Sequence, residues 1–139
     1  MASIAVELLT RASPSAAWEA IRDIGALHTR LVPGFVTATE LVPGGRRVTF
    51  ANGATIEEPI VGCNDNTRRL CWTVKGGSMG LTHYNAAVQV FARPGGGSLV
   101  VWSADLLPDT AAPTVLGMMR QGAAAMTQAL DRAADVVTR

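Results

Sequence analysis

The last thirty residues constrain the chain most. From about Asp109 to Val137, Leu116, Met119, Ala123, Met126, Leu130, Ala134 and Val137 recur at spacings of three or four, with Pro113 near the start. Gln121, Gln128, Asp131, Arg132 and Asp135 occupy the opposite side. This periodicity predicts a long helix with one apolar face, and such a face requires a surface to cover it.

The preceding residues supply that surface as strands. Ile4 to Arg11 alternates apolar and polar positions and predicts a first strand. In "SPSAAWEAIRDIG", Ser13 suits a helix cap and Pro14 the first helical position, Trp18, Ile21 and Ile24 form a stripe, and Gly25 is a stop. "ALHTRLVP" predicts another short helical piece, ended before Pro33 because the residue preceding a proline avoids helical geometry. Strands then follow at Val36–Val42, Arg46–Phe50, Thr55–Cys63, Arg69–Val74, Thr82–Arg93 and Ser98–Leu107. The turns between them are carried by Pro43-Gly44-Gly45, Asn52-Gly53, "NDNT", "GGSMG" and "PGGG". The expected class is α+β: a seven-stranded antiparallel sheet wrapped around the long C-terminal helix, with two short helices after the first strand.

At 139 residues the chain is expected to form a single domain spanning 1–139, able to bury roughly two-thirds of its unfolded surface. A net charge of +1 with no long run of like charge argues against a nucleic-acid partner or a polybasic membrane patch. The N-terminus lacks a basic region and carries Glu7, and no apolar run spans a bilayer, so a cytoplasmic protein without stable membrane insertion is expected, as monomer or homodimer. Cys63 and Cys71 match neither a disulfide framework nor a metal quartet and read as free thiols. With only two histidines, no metal and no cofactor are expected.

"SPSAAWEAIRDIGAL", "RRVTFANGATIEEPIVGCNDNTRRLCWTV" and "LVVWSADLLPD" together make the chain resemble the START-like, or SRPBCC, superfamily, and within it the polyketide cyclase/dehydrase and lipid-transport group. The resemblance covers nearly the whole chain and implies the helix-grip fold with a ligand cavity between sheet and helix. It implies no shared catalytic signature. Related sequences commonly carry a tryptophan before the proline of the second helix; here the segment reads "TRLVP", so a different cavity entrance is expected.

Small residues at Ala86, Ala104, Gly122 and Ala123 are expected to leave such a cavity open. Trp72, Tyr84, Val88, Trp102, Met119 and Met126 are expected to face it, offering apolar area and adaptable shape. Alternation places Glu58 on the same side as Ile56 and Ile60, where an unpaired carboxylate is costly. Three readings follow for Glu58: an ion pair with Arg46 across the Asn52-Gly53 hairpin, a polar anchor for ligand, or a general acid or base. His28 and Arg30 are placed near the cavity mouth, whereas His83 faces away from Tyr84 toward solvent.

No Gly-x-Ser-x-Gly elbow, phosphate-binding glycine loop or HExxH motif occurs. The expected function is binding of a hydrophobic small molecule such as a lipid, polyketide or aromatic metabolite. One alternative is an aromatase/cyclase-type enzyme with Tyr84, Glu58 and Arg30 as candidate catalytic groups. Another is an interaction or stress-response module that uses the fold without a ligand.

Overall fold

A computed structural model describes residues 1–77 and 79–137, with the backbone alone at Val137. Ser78 in the "GGSMG" turn and the side chain of Val137 lie outside the described residues. Among those described, seven strands run at β1 (Ala2–Thr10), β2 (Val36–Val42), β3 (Gly45–Phe50), β4 (Thr55–Asn64), β5 (Arg69–Thr73), β6 (His83–Ala92) and β7 (Ser98–Leu107). They pair antiparallel in the order β1-β7-β6-β5-β4-β3-β2, a meander from β2 to β7 with β1 added beside β7. The helices are α1 (Pro14–Arg22) and α2 (Ala112–Val137), the latter preceded by a 3-10 turn at Asp109–Ala111. The architecture is the one that the strand and helix periodicities predict.

Local chemistry explains the boundaries. Ser13 caps α1 by accepting a hydrogen bond from the Ala16 amide at 3.1 Å, and Pro14 occupies the first turn, where its missing N–H costs nothing. The helix ends at Arg22, earlier than the Gly25 stop; Gly25 lies instead in a 3-10 turn at Ile24–Ala26. The expected second short helix is a single wide turn of π geometry, Leu27–Leu31, which buries Leu27 and Leu31.

Helix α2 buries the face that the sequence reading gives it and differs only in its first turn. Val115, Met119, Ala123, Met126 and Leu130 are buried, whereas Leu116 is only half-buried. A Cβ on Gly122 would come within 2.7 Å of Trp102 Cζ3 and 2.9 Å of Cη2, so the bare backbone admits the indole of β7 against the helix. At its far end α2 is tied to the end of β1. Asp131 Oδ1 accepts from the Thr10 hydroxyl at 2.7 Å and the Arg11 amide at 2.8 Å, and Arg11 also pairs with Asp135.

Candidate functional site

Between the inner face of the sheet and α2 lies an apolar cavity of about 120 Å³. Period-two alternation builds most of its wall: Arg46, Val48 and Phe50 project from β3, Ile56 and Glu58 from β4, Leu70 and Trp72 from β5, Tyr84 and Val88 from β6, and Trp102 from β7. Val115, Met118, Met119 and Met126 close it from α2, and Leu27, Leu31 and Val32 from the turn before β2. Phe35 meets Phe50 edge-on with ring centroids 5.5 Å apart, and Trp72 lies tilted against Trp102 at 6.4 Å.

Charge enters this wall at one place. Arg46 and Glu58 stand opposite each other in the β3–β4 register, and Arg46 Nε donates to Glu58 Oε1 at 2.7 Å with both side chains nearly sealed from solvent. The ion pair expected of Glu58 is formed. Arg46 also donates through Nη1 to the Ile24 carbonyl at 3.3 Å, and its guanidinium lies 5.7 Å from the centre of the Trp72 ring. A buried charge pair survives only where its remaining donors and acceptors are met, and the Ile24 carbonyl and the Trp72 face meet part of that demand.

Tyr84 lines the same cavity, and burial, reinforced by the Glu58 carboxylate, raises its phenol above the ordinary range. It therefore stays protonated across physiological pH and remains able to donate. Trp102 Nε1, by contrast, is buried with no hydrogen-bond partner among the described residues.

The remaining candidates lie elsewhere. Ala86 and Ala104 are buried on the inner face but do not line the cavity; they stand in register with each other, and Ala86 with Trp72. Gly122 makes room for the Trp102 indole and leaves no void. Ala123 packs toward β1, beside a shallow surface groove shared with Ala5, Val6 and Arg120. Arg30 points outward to pair with Asp23 at 2.9 Å, both about half exposed, and so contributes nothing to the cavity. His28 does not line it either; its Nδ1 is buried without a partner among the described residues. His83 is exposed, as its alternation with Tyr84 implies.

Sequence reasoning missed Phe35, Met118, Met79 and Leu81 as wall residues. Met118 is half-buried beside the stripe, at a position that a periodicity of three or four does not single out. Met79 and Leu81 sit in an irregular connection, where no period exists to reveal which side chains turn inward. Among the described residues no group of three histidine, cysteine or acidic side chains is arranged to hold a metal.

The family model for polyketide cyclase/dehydrase and lipid transport matches residues 1–138. The chain belongs to that family. None of the curated proteins matches the chain. Among solved structures it is similar to the Zhui aromatase/cyclase from a Streptomyces species, with TM-score 0.79 and 13% identity over 99% of this chain and 96% of that one. It is also similar to a START superfamily protein from Mycobacterium smegmatis, with TM-score 0.74 and 11% identity over 97% and 98% of the two chains. A third similar structure is norcoclaurine synthase from Thalictrum flavum in complex with dopamine and hydroxybenzaldehyde, with TM-score 0.72 and 21% identity over 94% and 84%. At these identities the likeness establishes a shared START-like, helix-grip fold.

Proposed function

We propose that this polyketide cyclase/dehydrase-family chain is a binding protein that encloses a hydrophobic small molecule between its sheet and α2. The observation that carries the reading is the cavity itself: a void walled by aromatic, aliphatic and methionine side chains, whose ionisable groups are Arg46, Glu58 and Tyr84. Apolar pockets with a few placed polar groups are the usual form of small-molecule sites. Close packing otherwise leaves little room inside a protein, so a void of this size requires a reason. We read residues 1–139 as one ligand-binding domain, and the two free cysteines accord with a reducing cytoplasm.

Native mass spectrometry of protein purified from its own host tests the proposal. A co-purified mass that is lost on denaturation supports binding; protein that is ligand-free in repeated preparations, and indifferent to a panel of apolar compounds, supports the reading as a ligand-free interaction module instead.

A second reading, a cyclase-type enzyme, is favoured by the presence of Tyr84 and Glu58 in one wall, where a proton donor and a carboxylate could orient a reactive carbonyl compound. Arg30 drops out of that set because it is held by Asp23 at the surface. Turnover of a poly-β-keto mimic that falls in both Tyr84→Phe and Glu58→Gln supports the enzyme; turnover unchanged by both removes these assignments.

A further inference from the structure

We infer that the guest of this cavity is an uncharged single-ring compound bearing a hydroxyl, phenolic in character, whose hydroxyl sits between Glu58 and Tyr84. The inference rests on the binding reading above and adds the chemical class of ligand.

Register places the two groups. Arg46 pairs with Glu58, and the bridge between Glu57 and Lys75 carries the register on so that Val74 stands opposite Glu58. Thr73 pairs with Asn85, which sets Tyr84 opposite Val74. Arg46, Glu58, Val74 and Tyr84 thus form one cross-strand row on the inner face, and all four line the cavity. With strands about 4.8 Å apart, the backbones of Glu58 and Tyr84 are separated by about 10 Å, with only the short Val74 side chain between them. The longer carboxylate and phenol rise on either side of that gap.

Hydrogen-bonding capacity then selects the chemistry. Glu58 Oε1 is engaged by Arg46, whereas Glu58 Oε2 and the Tyr84 hydroxyl bond to none of the described residues. An ionised carboxylate oxygen only accepts, and a phenol can donate, so the pair presents one acceptor and one donor across the gap. A guest hydroxyl satisfies both, donating to Oε2 and accepting from Tyr84. A pure hydrocarbon would take water from Oε2 and return nothing.

Charge narrows the class further. Arg46 and Glu58 cancel, so the wall carries no net charge to balance an ionic guest. A carboxylate guest would have to displace Glu58 from Arg46 while lying beside it, and a cationic guest would leave the buried group of three with a net positive charge. Size favours a small guest: the cavity is about 120 Å³, of the same order as the apolar cavity of roughly 150 Å³ that holds benzene.

Phenol and toluene test the inference, because they differ by a hydroxyl in place of a methyl at nearly equal volume. Isothermal titration should show phenol binding about tenfold or more tightly than toluene, the range expected for hydrogen bonds to a charged group, with benzoate and benzylammonium weaker than phenol. In Tyr84→Phe and in Glu58→Gln the preference for phenol should shrink while toluene affinity holds; where Glu58→Gln does not fold, Tyr84→Phe alone decides. Toluene binding as tightly as phenol overturns the inference but leaves the apolar-binding reading intact. Binding of none of the four probes, in protein stripped of co-purified material, likewise overturns the inference, while the binding reading stands or falls on the co-purified mass.

Discussion

The Arg46–Glu58 pair is the largest liability in the core if broken and a small asset if replaced whole. Removing one partner leaves a charge buried among Val48, Trp72 and Tyr84, so Arg46→Met should cost about 3–5 kcal/mol in denaturant unfolding. The double variant Arg46→Met with Glu58→Leu should recover most of that loss, since an apolar pair needs no partner. A double variant as unstable as the single one would show that the guanidinium's other contacts, to the Ile24 carbonyl and Trp72, carry the stability. Gly122 makes a second prediction at this scale. Its Cβ would strike the Trp102 ring at 2.7 Å, so Gly122→Ala should destabilise by about 1–3 kcal/mol despite alanine's better helix propensity. Combining it with Trp102→Leu should abolish most of the penalty; purely additive losses would place the strain elsewhere.

Helix α2 depends on electrostatics as well as on its apolar face. Burial pushes the Asp131 carboxyl up, but the hydrogen bonds from the Thr10 hydroxyl and Arg11 amide, together with the Arg11 charge, outweigh this and hold it below the ordinary carboxylate range. A carboxylate lowered on folding contributes stability above its unfolded value of about 3.9 and loses it as pH falls through the lower folded value. Thermal melts should therefore show the protein more stable than Asp131→Ala at about pH 6, with the gap narrowing toward about pH 3. A gap constant over that range would mean that the side chain's packing, and not its ionisation, secures the end of α2 to β1.

For the molecule as a whole, the cavity lies between the sheet and α2, and ligand linkage should report on its occupancy. A guest at a hundred times its dissociation constant stabilises the folded state by about 2.7 kcal/mol. Val74→Phe places a ring in the gap between Glu58 and Tyr84 and should abolish ligand-dependent stabilisation in thermal shift, while leaving the melting temperature of the unliganded protein nearly unchanged. A guest that still stabilises Val74→Phe to the same extent would lie outside this cavity.

The meander from β2 to β7, the inward parity of β3, β4 and β6 and the Arg46–Glu58 pairing were legible in the sequence because they follow from local rules: alternation in an extended chain, a tight Asn52-Gly53 turn that sets register, and the cost of a lone buried carboxylate. Tyr84 inward and His83 outward follow from the same parity. What only the tertiary structure decided is where space is left over. Ala86, Ala104 and Gly122 are small in the sequence, yet Ala86 and Ala104 are buried without lining the cavity and Gly122 is covered by the Trp102 ring, while the void opens beside bulkier residues such as Phe35 and Met118. Alternation along a strand specifies direction, but the volume between elements depends on how α2 rotates and how far each indole reaches, and those are properties of the assembled core.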